Sequence, residues 1–435
     1  MTNNMKSKLK NWLISILTLE AKLALYRHKP KIIAVTGNVG KTSTKDAIFA
    51  VLAKSKKVRK SDKSFNSEIG LPLAILNLNN AWSSPIGWLK NMVLGLKEAL
   101  FGNYPEWIVL EVGADHPGDI EKVSQWLHPD IVVLTRMSDV PVHVEYFKDA
   151  AEVLREKMFL AKALKPGGTL VVNSDDEYFQ ESIKEIDANK VFFGSTPGAN
   201  VEIKEAGAVY AGNPLPLPRG QYAVMRIGGR EERIEIYGIL GTHLMYPIAA
   251  ACAVAQVLGL DDTAIKMAFT NFQAPKGRMK ILKGMTGTAI IDDTYNSSPL
   301  ACLEALKALE NLSLRGKKIA ALADMKELGE NSKLAHKKIG QIAGGFLHTL
   351  IVVGEMAQFI AEGALEVGMA ADKIYSYPNS EEAGKALAEI IRAGDVVLVK
   401  GSQSMRMEKV TKEILEDKLM AYDVLVRQEE EWLKR

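Results

Sequence analysis

The sequence predicts an α/β protein: a P-loop central domain with a mainly parallel sheet and a small β-rich subdomain, followed by a Rossmann-like C-terminal α/β domain. Three observations carry that expectation. Short apolar, β-branched runs alternate with helix-length stretches along most of the 435 residues. The first run leads into Gly37-Asn38-Val39-Gly40-Lys41-Thr42-Ser43, the order that joins a strand to a helix through a phosphate cradle. Between about 191 and 241 the texture changes to short segments broken by glycine and proline, and the alternation restarts after Ala274-Pro275-Lys276-Gly277-Arg278.

Taken in order, residues 1–30 read as one amphipathic helix that stops at His28-Lys29-Pro30, where basic residues and proline close it. Strands are expected at 31–36, 107–113, 131–135 and 168–173, and helices at 42–54, 150–164 and 243–258. The stretch Gly212-Asn-Pro-Leu-Pro-Leu-Pro-Arg-Gly220 and the pair Gly228-Gly229 mark hairpins in the β-rich part. The second series places strands at 288–293, 318–323, 349–354 and 396–401. Three units follow: a helix at 1–30, a central domain at 31–274 and a C-terminal domain at 275–435. In a parallel sheet the chemistry gathers beyond the C-terminal ends of the strands.

Hydrophobic content of 47% and charged content of 25% are those of a soluble globular protein. A formal charge of +3 with no long basic run argues against a nucleic-acid partner. The two cysteines, Cys252 and Cys302, sit far apart in apolar or helical surroundings and read as buried thiols of a reducing compartment. Lys6, Lys8 and Lys10 precede the apolar run 12–17, but that run is short, is followed by Glu20 and Lys22, and has no small-residue cleavage site. The expected location is the cytoplasm.

The glycines let backbone N–H groups approach an anion, Lys41 would reach the β- and γ-phosphates, and the Thr42 hydroxyl would bind Mg²⁺. Val35 stands where the full Walker pattern has glycine, so the match is to the shorter T-G-x-x-G-K-T form. Glu111, at the tip of an apolar strand, is placed for a nucleotide's metal ion; the alternative is a strand-end carboxylate. Asp115 precedes His-Pro-Gly and shapes a turn on the simpler reading. Singly, His143 reads as a surface or structural histidine before a ligand, and Lys157 as a lysine on a solvated helix face.

Together these pieces resemble the Mur ligase family, ATP-dependent enzymes that add amino acids or peptides to a cell-wall precursor. The order is T-G-x-x-G-K-T, Phe65-Asn66-Ser67-Glu68-Ile69-Gly70-Leu71-Pro72, Leu110-Glu111, His143-Val-Glu and Glu156-Lys157. It continues with Gly241-Thr-His243, Lys276-Gly277-Arg278-Met279, Asp292-Asp293-Thr-Tyr-Asn296-Ser-Ser-Pro299, Ala323-Asp324-Met325 and Lys400-Gly401-Ser402-Gln-Ser-Met-Arg406-Met-Glu408. Several of these stretches look most like the branch that joins D-alanyl-D-alanine to a UDP-N-acetylmuramoyl tripeptide.

The resemblance implies ATP and Mg²⁺, an acyl phosphate made on the acceptor's carboxylate, and attack on it by an amine. It implies nucleotide contacts from Gly37 through Ser43, Asn296 on the adenine edge, Arg278 reaching phosphate from between the domains, and Asp324 near hinge and ribose. It assigns Thr42, Glu111, His143 and Lys157 to metal binding, with Lys157 as a carbamate formed with CO₂. Lys41, His143 and Lys157 would be catalytic, and Asn66, Glu68, Lys400, Ser402 and Arg406 would meet the substrates. Other readings are a Mur-type ligase with a different acceptor and a P-loop NTPase switch at the membrane.

Two departures stand out. The family's peptidoglycan enzymes carry an N-terminal domain that holds the UDP end of the precursor, whereas about 30 residues precede the P-loop strand here, so that module is expected to be absent or replaced. The stretch 80–101 is longer than the family needs, with Trp88, Leu89, Met92, Val93, Leu96 and Leu100 at helical spacing. It reads as a helix packed on the domain, or as half of an amphipathic surface that touches membrane together with the N-terminal helix. No oligomeric state follows from the sequence.

Overall fold

The computed structural model describes residues 2–433 except 62–67, 82–83, 138–146, 262–264, 266–267, 271 and 273–274. The chain begins with α1 (Thr2–His28), β1 (Lys31–Thr36), α2 (Lys41–Leu52), β2 (Val58–Lys60), α3 (Gly70–Leu76), α4 (Pro85–Phe101) and β3 (Trp107–Glu111). It goes on through α5 (Asp119–Ser124), β4 (Ile131–Leu134), α6 (Ala150–Lys162), β5 (Thr169–Asn173), α7 (Glu177–Ser182) and β6 (Asn189–Gly194). Three long strands, β7 (Val201–Ala211), β8 (Leu217–Ile227) and β9 (Arg230–Tyr237), precede α8 (Met245–Val257).

Among the described residues these strands form one sheet in the order β2-β3-β1-β4-β5-β6-β7-β8-β9. Pairing is parallel up to β7 and antiparallel for β7-β8-β9. The hairpins expected from the glycine-rich texture are present, and they continue the central sheet because β7 pairs with β6. Gly228 and Gly229, with φ of 57° and 84°, make the two-residue turn between β8 and β9 that only positive-φ residues close without strain.

The central strands are apolar throughout because both faces of the sheet are covered. Ile33, Val35, Val109 and Val133 pack under α2 and α8, while Ile32, Ala34, Ile108 and Leu110 pack under α1, α3, α4 and α6. α1 seals its part of that second layer with Leu13, Leu17, Ala21 and Ala24, spaced for one helix face. α4 starts as sequence rules require, with Ser84 accepting a hydrogen bond from the Gly87 N–H at 3.0 Å and proline in the first turn. Its apolar stripe splits: Trp88 and Met92 pack inward, whereas Leu89, Val93 and Leu96 face outward.

The second sheet has the order β10-β11-β15-β12-β13-β14 among the described residues. Its strands are β10 (Lys280–Gly284), β11 (Thr288–Asp293), β12 (Lys318–Ala323), β13 (Thr349–Val353), β14 (Ile374–Tyr377) and β15 (Val396–Lys400), all parallel except the edge strand β10. Its two faces again close two separate cores. Cys252 lies in the central domain's core and Cys302 in the C-terminal one, both as free buried thiols. The two sheets meet along the segment around 238–281, where Leu240 N–H donates to Met279 O at 3.0 Å and Ile281 N–H to Gly238 O at 2.9 Å. No helix among the described residues is long and apolar enough to cross a membrane.

Leu17 is fully buried under the sheet, so Leu17→Ala should lower unfolding free energy by about 2–5 kcal/mol in urea titration. A loss well below that range would mean that α1 is not docked in solution as described.

Candidate active site

β1 delivers the chain to the P-loop at the C-terminal edge of the central sheet. Gly37 has φ of 143°, and a Cβ there would sit 2.1 Å from Thr135 Oγ1, so the turn needs glycine. Thr135 follows β4 and donates from its hydroxyl to Thr36 O at 3.1 Å and Val39 O at 2.8 Å, fastening the loop to the neighbouring strand. Gly40, at φ 85°, turns the chain into α2. Val35 needs no glycine because it is still within β1, buried and in register with Glu111.

Lys41 opens α2 and folds back to donate to Gly37 O at 3.0 Å and Asn38 O at 3.3 Å. Burial lowers its pKa; Arg278 pushes the same way, and the negative charges of Glu111 and Asp115 oppose the shift. Thr42 donates from Oγ1 to Glu111 Oε2 at 2.8 Å, which sets a hydroxyl and a carboxylate side by side. Both are hard oxygen donors of the kind Mg²⁺ takes when phosphates complete its shell, so this pair fits the ion. No cluster of three or more His, Cys, Asp or Glu groups converges among the described residues.

Lys157 comes from α6 and is buried in the same cavity. Its pKa is pushed down to about 7, first by burial and then by the charge of Lys41, with Glu156 opposing. Among the described residues no carboxylate lies within ion-pair distance of it. Glu156, its neighbour, is occupied elsewhere, accepting from the N–H groups of Gly118 at 3.0 Å and Glu121 at 3.1 Å, and also from that of Ile120, at the start of α5.

The opposite wall belongs to the C-terminal domain. Arg278 lies over the Tyr295 ring, 4.3 Å from its centroid. Lys400 at the end of β15 ion-pairs with Asp293 at the end of β11 and donates to Asn296 O at 3.0 Å. Asn296 Oδ1 accepts the Ser297 N–H at 2.9 Å. The cavity between the walls measures about 520 Å³, the size of a nucleotide site. Two buried polar atoms in its lining, Asn38 Nδ2 and His243 Nδ1, have no hydrogen-bond partner among the described residues. Burial lowers the His243 pKa, which favours a neutral imidazole.

The fold therefore brings Gly37 through Ser43, Glu111, Asp115, Lys157, Arg278, Asn296 and Lys400 to one cavity. It does not bring Asp324, Ser402, Arg406 or Glu68 to its wall. Asp324 is buried, accepts the Ala357 N–H at 2.8 Å and pairs with Lys326 at 2.8 Å. Ser402 accepts the Lys326 N–H at 2.8 Å, Arg406 is held by Glu408 and by Trp432 O at 3.0 Å, and Glu68 pairs with Lys122 at 2.7 Å. His143 and Asn66 lie outside the described residues. Sequence reasoning missed Arg136, which lines the cavity and approaches Glu304 of the other domain to 3.9 Å. Its place just beyond β4, beside the P-loop strand, was the available signal. Tyr295 and Asp293 were quoted only as part of a motif.

The chain matches the Mur ligase middle domain over residues 35–255 and the Mur ligase glutamate ligase domain over residues 277–403. It belongs to the Mur ligase family, ATP-dependent enzymes that form amide bonds. It is 27% identical over 400 residues to the UDP-N-acetylmuramoyl-tripeptide–D-alanyl-D-alanine ligase of Bacillus subtilis, covering 92% of this chain and 79% of the relative. The Mycobacterium tuberculosis ligase of the same name is 28% identical over 408 residues, covering 89% and 73%. The crystal structure of MurF ligase from Thermotoga maritima in complex with ADP superposes with a TM-score of 0.75 at 26% identity, covering 94% of this chain and 84% of that one.

The lowered Lys157 pKa has a consequence for stability. Between about 7 and the ordinary 10.5, the unfolded chain binds a proton at this lysine that the folded chain does not, so stability rises with pH across that window. Lys157→Met should flatten part of the rise seen by urea unfolding at several pH values. An unchanged slope would mean that the amine is hydrated and of ordinary pKa.

Proposed function

We propose that this chain joins D-alanyl-D-alanine to the terminal carboxylate of a UDP-N-acetylmuramoyl-tripeptide, or of a closely related muramoyl peptide, in the cytoplasm. The observation that carries the reading is the single cavity in which Lys41, Thr42, Glu111 and Lys157 face Arg278, Asn296 and Lys400 across the two domains. The names of the relatives support the choice of acceptor and amine.

The acceptor carboxylate and the triphosphate are both anionic and must be brought within bonding distance. Lys41 and the free N–H groups at the start of α2 hold the phosphates, and Arg278 adds charge from the other domain. Asn296 offers a donor and an acceptor to the adenine edge. Mg²⁺ held by Thr42 and Glu111 would neutralise charge that builds on the γ-phosphoryl group. A carboxylate oxygen attacks the γ-phosphorus and ADP leaves; the amine then attacks the acyl carbon, loses a proton, and phosphate leaves. Lys157, its pKa lowered to about 7, is in good part deprotonated near neutral pH and could add CO₂ and release a proton, turning a cation into an anionic oxygen group beside the phosphate site. Lys400 on the far wall, now paired with Asp293, would meet the carboxylate of the incoming dipeptide.

Phosphate release should require ATP, D-alanyl-D-alanine and acceptor together, with UDP-linked and free tripeptides compared. Turnover that ignores acceptor and amine would assign the site to an NTPase switch instead. Lys41→Ala should lower ligation by roughly 10²–10³-fold, because it removes a contact that strengthens as charge develops. Lys157→Ala should be inactive and partly restored by short carboxylates; no restoration would remove the support for a carbamate.

A further inference from the structure

α1 and α4 lie side by side on one face of the central sheet, away from the nucleotide cavity, and are tied where α1 ends. Arg27 Nε donates to Leu100 O at 2.8 Å and His28 Nε2 contacts Ala99 O at 2.9 Å. Each helix has a second apolar seam on the side turned from the core. On α1 it is Trp12, Leu19 and Tyr26, seven residues apart; on α4 it is Ile86, Leu89, Val93 and Leu96. Tyr26 is 79% and Ile86 80% exposed, so these side chains are not the rim of the core. Large apolar groups repeating at helical spacing on adjacent helices form a surface that soluble proteins ordinarily do not leave bare.

Charge separates in the same direction. The two helices carry seven basic and two acidic residues, against a formal charge of +3 for the whole chain, so the remainder is slightly acidic. Lys22, Arg27, Lys90 and Lys97 are exposed. Both acids turn away from solvent: Glu20 is buried with its Oε2 against Gly95, and Glu98 folds over Gly102. A self-complementary dimer through this face would set lysines against lysines, whereas an anionic bilayer supplies apolar depth and negative headgroups together.

We propose that the outer face of α1 and α4 docks this protein onto anionic membrane surfaces, lying on the bilayer without crossing it. The apolar seams enter the headgroup boundary and the lysines and arginine remain at headgroup level. The proposal does not rest on the reading of the active site.

Sedimentation of the full chain with vesicles of phosphatidylcholine containing about 30% phosphatidylglycerol tests it, with pure phosphatidylcholine as control. The chain should pellet with the anionic vesicles, less at high salt. Leu89→Glu with Val93→Glu should weaken binding at least about tenfold, with unchanged circular dichroism and ATP turnover. Lys90→Glu with Lys97→Glu should weaken binding to anionic vesicles in the same way. No pelleting, or pelleting indifferent to both double variants, would overturn the proposal. So would a solution dimer that the Leu89→Glu and Val93→Glu pair dissociates, because the face would then belong to a second copy.

Discussion

Two lysines in one cavity, Lys157 buried and Lys41 half-buried, are the constraint around which the site is organised. Lys41 and Lys157 each lose hydration, and the charge of Lys41 raises the cost of charging Lys157. Glu111 opposes that cost at Lys41, but its carboxylate already accepts the Thr42 hydroxyl, and Glu156 is drawn off to the start of α5. The residues at the start of α2 line the same cavity, and the N–H groups of a helix start suit an anion. Lysines gathered beside a helix start are a reason to propose a phosphate site here even before any comparison with relatives.

The two-domain architecture serves the same end. Parallel pairing of β1 with β3 and β4 sets the ends of three strands together, so the P-loop, Glu111 and the Thr135-Arg136 pair share one edge. In the second sheet β11 and β15 pair so that Asp293 stands beside Lys400. Short backbone contacts near Gly238 and Met279 then turn these two edges toward each other. Each half presents charged groups at strand ends, and the cavity is lined by both.

Much of this was legible in the sequence. The strands at 31–36, 288–293 and 318–323 lie where β-branched runs put them, because strands buried on both faces leave little room for another pattern. Strands end slightly earlier than the apolar run where the next residues serve a loop, as at Val112 and Gly113 beyond β3. That Lys41, Thr42 and Glu111 share one cavity was readable because a glycine turn and a strand-tip acid both fall at the C-terminal ends of neighbouring parallel strands. Arg136 was harder to read, since its only signal was a place beyond β4, and its presence in the cavity depends on β4 lying next to β1, a fact of topology and not of local pattern. Asp324, Ser402 and Arg406 show the converse: they follow strands as functional groups do, yet neighbouring backbone and ion-pair partners occupy them. Likewise periodicity marked α4 as a helix with an apolar face but could not show that it has two.

A crystal structure with a non-hydrolysable ATP analogue and Mg²⁺ would test the central claim most directly. The account predicts the β- and γ-phosphates at the backbone of Gly40 through Ser43 with Lys41 against them, the metal beside Thr42 and Glu111, and the adenine reaching Asn296 in the second domain. A nucleotide bound wholly within one domain, or phosphates away from Lys41, would contradict it.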